Sequence, residues 1–372
     1  MLFVAAVLTG GFASAQTSST LTSKAPLAAP ERKSAVSLEW SLWMAGQQTE
    51  DPMNSSQMFN LDTFLTIKRN FGTSSSLTLE PRLTYDTGFV QSEGQSSDTA
   101  TNWAVRKAEF NSSPSKYFAF SAGALNQRDR FSRLMWGDRA IPAVELDLHT
   151  RQTKGWTVGA RALSGVVSST QLATETAPSG QTPQFQSLRL SLNYKGPVLH
   201  SNTQIGSYKF TAISQSLAED SAIRGNSVNR STETNQSTFE SDFEGYFIDQ
   251  SWTSTLKSLK LGLSLNGVQN QEAENQKNTA YMTETRIQAL GVSLKPEFKF
   301  RFYRVESDAA IASLLSSTVN TNRQGYRAEL NFTFEDYTAG FYGGLSDSLT
   351  ENPNQRRENF LGLQLETLYE LL

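Results

Sequence analysis

The feature that most constrains this chain is a period of two. In 77–85, LTLEPRLTY, residues Leu77, Leu79, Pro81, Leu83 and Tyr85 fall on one face, with Thr78, Glu80, Arg82 and Thr84 on the other. Side chains alternate faces along a strand, so such a segment is a strand with one apolar and one polar side. The pattern returns in 188–194 (Leu188, Leu190, Leu192, Tyr194), in 326–334 (Tyr326, Ala328, Leu330, Phe332, Phe334) and in 361–371 (Leu361, Leu363, Leu365, Tyr369, Leu371). Sixteen segments follow it, over 35–45, 57–68, 76–86, 102–110, 116–126, 142–150, 155–166, 185–195, 198–209, 238–250, 257–269, 281–294, 297–308, 324–335, 337–347 and 357–371. Helical periodicity is nearly absent. Each apolar stripe is long enough for a tilted strand to cross the hydrocarbon of a bilayer.

The connections add a rhythm. Short ones contain FGTS (71–74), SSPS (112–115), QTKG (152–155), KGP (195–197), TSTL (253–256), KP (295–296) and ED (335–336). They alternate with long ones at 46–56, 87–101, 127–141, 167–184, 210–237, 270–280, 309–323 and 348–356. An antiparallel meander with tight turns at one end and long loops at the other gives this alternation. In a bilayer every backbone donor must be satisfied, so the sheet has to close. The reading is all-β: a closed antiparallel transmembrane β-barrel of about sixteen strands over 35–372, with short periplasmic turns and long outer loops. Its address is the cell outer membrane. Ahead of it, the uncharged MLFVAAVLTGGFASA (1–15) ends in Ala13-Ser14-Ala15, a small-residue cleavage pattern, and is expected to be a signal peptide removed before Gln16. Residues 16–34, rich in Ser, Thr, Ala and Pro, read as a disordered lead-in.

Composition closes off other classes. The chain has no cysteine, so it has no disulfide, thiolate metal site, iron–sulfur cluster or thiol nucleophile. Two histidines leave little for a zinc site or a proton relay, and 33 basic against 36 acidic residues give no nucleic-acid footprint. HExxH, G-x-S-x-G, P-loop and EF-hand patterns are missing. No enzyme, metal or cofactor is expected. His149 and His200 are placed near the periplasmic rim, without a catalytic role.

With apolar faces toward lipid, the opposite faces line the lumen. They carry Glu80, Arg82, Arg161, Arg189, Arg286, Arg301, Arg327 and Glu329, and further acids at Glu240, Asp242 and Glu244. A cation on the lipid face near the midplane would cost about 2–4 kcal/mol, so inward placement is required. A barrel this wide is not filled by its own wall and leaves an aqueous channel. Two segments break parity, 103–110 (WAVRKAEF) and 284–294, and a β-bulge is expected near each. The third long loop, NQRDRFSRLMWGDRAI (126–141), sets Arg128, Arg130, Arg133 and Arg139 against Asp129 and Asp138, with Phe131 and Trp136 as anchors. Folded inward, these six charges form a pore constriction. Folded outward, they are surface charges that pair with one another or with lipopolysaccharide.

The chain resembles the Gram-negative general porins in its sixteen segments and its third loop, and WAVRKAEFNSSPSKYFAFSAGALNQ (103–127) is similar in style to the phosphate-selective porin O/P family. The resemblance implies a passive diffusion channel for small hydrophilic solutes or ions. It also implies a homotrimer, insertion by the barrel assembly machinery, and outer-membrane lipids and lipopolysaccharide as neighbours. A non-conducting structural or adhesive barrel is the alternative. One departure stands out: porins end on an outward aromatic, whereas in ETLYELL the terminal Leu372 shares a face with Glu370.

Overall fold

The computed structural model describes residues 36–50, 55–91, 96–150, 152–167, 181–231, 236–315, 319–351, 355 and 357–370. The expected leader and lead-in, and the last two residues, lie outside them. Every alternating segment is a strand: β1 (Val36–Glu50), β2 (Ser55–Phe71), β3 (Ser75–Gln91), β4 (Ser96–Ser115), β5 (Phe118–Asn126), β6 (Ala140–His149), β7 (Trp156–Val166), β8 (Gln184–Lys195) and β9 (Leu199–Thr211). After an insertion follow β12 (Glu244–Leu256), β13 (Leu259–Asn270), β14 (Thr279–Ala289), β15 (Pro296–Val305), β16 (Arg323–Phe334), β17 (Tyr337–Ser348) and β18 (Glu358–Glu370). These sixteen close into one antiparallel barrel in sequence order, with β1 paired to β18 from Glu39↔Glu370 to Glu50↔Asn359.

Several boundaries differ from the sequence reading. β1 to β4 run 15 to 20 residues and extend into the loops expected at 46–56 and 87–101, carrying the ladder past the end of the apolar stripe to Glu50, Ser55, Gln91 and Ser96. SSPS and TSTL belong to β4 and β12, and the turns are Lys116–Tyr117 and Lys257–Ser258. Lys257 and Glu335 open two-residue turns at φ 48 and 39, the left-handed geometry that tight hairpins need. The strand expected at 238–250 starts at Glu244. Before it sit a helix, α1 (Gln215–Ile223), capped by Ser214, and a small hairpin, β10 (Val228–Arg230) with β11 (Ser237–Phe239).

The first parity break is a bulge. Glu80 pairs with Lys107, but Pro81 pairs with Val105, so Arg106 is an extra residue on β4. The second is not: β14 ends at Ala289, and 290–295 form the turn to β15, with Leu290 N–H donating to the Ser258 carbonyl at 2.6 Å.

The outer surface is apolar. Leu146, Leu148, Leu188, Leu190, Ile205, Ile248, Leu263, Phe300, Phe341, Leu361 and Leu363 are all exposed on it, and Trp103 most of all at 75%. At the short-turn end stand paired aromatics: Trp40 stacks on Tyr369 at 5.6 Å, Trp156 meets Tyr194 at 4.7 Å, and the Tyr369 and Tyr337 hydroxyls bond. An apolar band rimmed by aromatics is the outer face of an outer-membrane barrel, and the protein is an integral membrane protein of that kind.

The lumen holds an apolar core. Leu134 and Trp136 of the 127–139 loop, Leu217 of α1, and Ile311 and Leu314 of the 306–322 loop are buried with Phe185, Phe247 and Val305 of the wall. Polar bonds lock the three loops together. Gly137 N–H donates to the Leu314 carbonyl at 2.6 Å, and Asn226 Nδ2 to the Ala310 carbonyl at 2.8 Å. Ser221 Oγ donates to Ser313 Oγ at 2.9 Å. Gly206 makes room for this core, since a Cβ there would sit 2.6 Å from the Phe247 ring. The wall alone does not fill so wide a barrel, and three loops, long and apolar enough to bury one another, occupy part of the lumen.

Candidate functional site: a constriction inside the barrel

The 127–139 loop leaves β5 at the long-loop end and folds inward. Phe131 meets Phe185 and Phe247 edge-on at 5.4 and 5.7 Å, and Trp136 meets Phe185 at 5.1 Å. Arg189 of β8 lies 4.6 Å over the Phe131 ring, a cation–π contact. Its Nη1 donates to the Arg130 carbonyl at 2.5 Å, while Nη2 is bonded to Glu145.

The six charges of the loop do different jobs. Asp138 accepts from Arg106 Nε at 3.0 Å and from Asn126 Nδ2 at 2.6 Å, with Arg82 at 3.5 Å. Burial alone would push the Asp138 carboxyl up. Arg106, the Asn126 hydrogen bond and Arg82 outweigh it and hold the group below its ordinary value. Asp129 pairs with Lys107 at 2.6 Å. The bulge at Arg106 turns these two consecutive cations, Arg106 and Lys107, into the lumen together, where each grips one acid of the loop. Arg130 is a third tether, 2.7 Å from Glu109 and 3.3 Å from Glu145. Arg139 donates to the Ser313 carbonyl at 3.1 Å, and burial lowers it to about 10.

That leaves Arg128 and Arg133. Neither has a salt-bridge partner within reach among the described residues; Arg128 is exposed and Arg133 half-buried. Arg133 feels Arg301, Arg128, Glu284 and Glu329, so it lies toward the wall of β14 to β16. Burial first, then Arg301 and Arg128, push it down to about 9, which keeps it a cation at neutral pH. On that wall Arg301 and Arg286 share Glu284, at 2.6 and 2.7 Å, and Arg327 pairs with Glu329 at 2.7 Å. Arg327 also stacks 3.9 Å over Tyr342. Loop and wall together bring five guanidinium groups and two carboxylates to this side of the lumen.

The structure puts all eight wall residues read from sequence on the inner face, each with a partner. Arg82 meets Asp62 at 2.5 Å, Glu80 meets Arg106 at 2.6 Å, and Arg161 meets Asp147 at 2.8 Å. Arg189, Arg286, Arg301, Arg327 and Glu329 are paired as described above. His149 lies beside Asp147 at 3.6 Å near the short-turn rim. The acid run is corrected. Glu240 and Asp242 precede the strand, and Glu244 faces outward with Lys209 at the long-loop rim. Among the described residues no three His, Cys, Asp or Glu side chains gather as metal ligands.

Arg106, Lys107 and the apolar lumen wall were missed as site residues. A signal was present. Tyr246-Phe247-Ile248 and Tyr281-Met282 put apolar side chains on both faces of their strands, and one face of each pair cannot be meeting lipid.

No protein-family model matches the sequence, and neither does any curated protein. Solved structures do match in shape. OprB of Pseudomonas putida at high pH aligns with TM-score 0.56 and 13% identity, over 90% of this chain and 94% of that one. Its low-pH structure gives 0.54 and 10%, over 90% and 92%. OmpF of Salmonella typhi in complex with daunomycin gives 0.51 and 10%, over 89% and 97%. The fold is that of the outer-membrane porins. At this identity the likeness is one of fold. The finer likeness to the phosphate-selective porins read from 103–127 gains no support from these matches.

Proposed function

We propose that the protein is a passive diffusion porin of the outer membrane, without enzymatic activity, carrying small hydrophilic solutes and ions past the 127–139 loop. The observation that supports this reading is a loop folded inside a closed barrel whose Arg128 and Arg133 have no salt-bridge partner among the described residues. Fixed charge at a narrow aqueous passage between low-dielectric walls counts for more than charge at a wide mouth. Acids elsewhere on the wall, such as Asp62, Glu297 and Glu366, oppose the guanidinium groups. The net preference is a weak one for anions. Assembly as a homotrimer, insertion by the barrel assembly machinery and contact with lipopolysaccharide belong to the same proposal.

A non-conducting structural barrel is the competing reading, favoured by the apolar core in the lumen. Planar-bilayer recording separates them. The porin reading expects stable current steps and a reversal potential on the anion side in a salt gradient. Arg128→Ala with Arg133→Ala should move that potential toward cations and leave the heat-modifiable gel mobility unchanged. An absence of steps from folded protein would favour the structural barrel.

A further inference from the structure

The seven short turns of the barrel share one kind of charge. Six of them have an exposed cation at or beside them: Arg69, Lys116, Lys154, Lys195, Lys257 and Lys295. Among the described residues the lysine ion pairs are those of Lys107, Lys209, Lys277 and Lys299, so the five turn lysines have none. Arg69 lies 5.2 Å over the Phe71 ring, and Lys116 lies 5.0 Å over Tyr117. The long-loop end is built the other way. There Lys209, Lys277, Arg304 and Arg323 each lie against a carboxylate, of Glu244, Glu274, Glu306 and Glu358. One rim neutralises its own cations, and the other leaves them for a partner.

The cations stand on a fixed frame, because backbone bonds stitch the turns together. His149 N–H donates to the Tyr117 carbonyl at 3.0 Å, Lys195 N–H to Gly155 at 2.8 Å, Thr255 N–H to Val198 at 3.0 Å and Leu290 N–H to Ser258 at 2.6 Å. Each cation also has an apolar companion. Phe71, Tyr117, Trp156, Val198, Leu256 and Leu294 are all exposed, each within three residues of one of them. An exposed ring or aliphatic side chain beside a cation is the chemistry of a membrane interface, with the apolar part at the hydrocarbon edge and the charge at headgroup level. That sets the cations at the depth of the lipid phosphates, on the periplasmic side where short turns lie. A zwitterionic headgroup answers its phosphate with its own ammonium. A headgroup of net negative charge does not, and a lysine close to it is attracted. The seventh turn differs: it carries Glu335 and Asp336, both exposed, and Glu39 and Glu370 are register partners at the same end of the β1–β18 seam. The cationic arc therefore runs from β2 to β15 and stops at an acidic one.

We propose that this arc is a docking surface for anionic phospholipid headgroups of the periplasmic leaflet, gathered on one side of the barrel. It rests on the membrane fold and not on conduction, so its failure would leave the porin reading untouched. The probe is phosphatidylglycerol with brominated acyl chains, which quench tryptophan on contact, and Trp156 stands in the arc. Brominated phosphatidylcholine is the control. The full-length protein is placed in phosphatidylcholine vesicles holding either brominated lipid at equal mole fraction. Phosphatidylglycerol should quench more strongly, with an association constant up to about fivefold higher, the gain of a headgroup meeting one cation. Salt at about 1 M should abolish the difference. Replacing Lys116, Lys154, Lys195, Lys257 and Lys295 together by glutamine should bring the ratio close to one, while Lys277→Gln at the other rim leaves it as in the parent. Equal quenching by the two lipids in the parent, or a preference that the fivefold variant keeps, would overturn the proposal. Equal quenching together with lysine-dependent sedimentation on peptidoglycan sacculi would also overturn it and give the arc to the cell wall. If the fivefold variant does not fold, the two-lipid comparison and its salt dependence in the parent decide.

Discussion

The two halves of the lumen obey different physics. Along β5 to β15, at the long-loop end, the inner wall is apolar and three loops pack on it as in a soluble protein's core. Along β16 to β18 and β1 to β4 that core does not extend. There the inner face carries Asn331 bonded to Gln364 at 2.9 Å, Gln47 accepting from Tyr342 at 3.2 Å, and Asn60 donating to Asp86 at 2.8 Å. One half is held by burial of area and the other by satisfied polar groups that water can reach. The 127–139 loop lies on the boundary, with its aromatics in the first half and Arg133 toward the wall of β14 to β16, where the halves meet.

The largest test of this division is Trp136→Ala. Its side chain is fully buried at the centre of the core. Truncating such a group costs about 3–5 kcal/mol. The loop should loosen, with higher and noisier single-channel conductance and a lower temperature for the mobility shift of the unheated band. A variant conducting like the parent would mean that burial does not position the loop.

A smaller effect is expected at the bulge. Arg106→Ala leaves Glu80 and Asp138 without their main cation, at a cost of about 1–3 kcal/mol. Lys107→Ala should cost under about 1 kcal/mol, since its partner Asp129 is 41% exposed. Thermal gel shifts on both variants give the order; a larger loss at Lys107 would contradict the tether assignment.

The smallest effect is one of pH. Because the Asp138 carboxyl is held below its ordinary value, its tether contributes fully above the unfolded pKa, about 3.9. The contribution is lost as pH falls through the lower folded value. Conductance noise should be flat from pH 7 to 5 and rise below about pH 4. Asp138→Asn should blunt that rise, and an unchanged acid response in this variant would point to another group.

Much of the barrel was legible because its signal is local. The alternation in LTLEPRLTY needs only neighbours, and it correctly sets Leu77 outward and Glu80 and Arg82 inward. The break in WAVRKAEF marked the bulge, because a residue inserted in a ladder must shift parity. The loop's fate was not legible. Asp129 and Asp138 look like partners for the loop's own arginines, yet they pair with Lys107, Arg106 and Arg82. Arg130 looks equivalent to Arg128 and Arg133 but is a tether. The apolar run AAIASLL (309–315) passed as a loop because its partners, Leu217 and Trp136, are far away in sequence.

The sequence by itself determined the sixteen alternating segments, their order, the closed sheet and the side most of their residues face. Those follow from a period of two and from the need to satisfy backbone groups in lipid, both properties of short segments. Only the tertiary structure decided what packs inside the lumen and which arginines of the 127–139 loop are tethered. Those depend on contacts such as Gly137 with Leu314 and Asn226 with Ala310, made between loops that meet only once the barrel has closed around them.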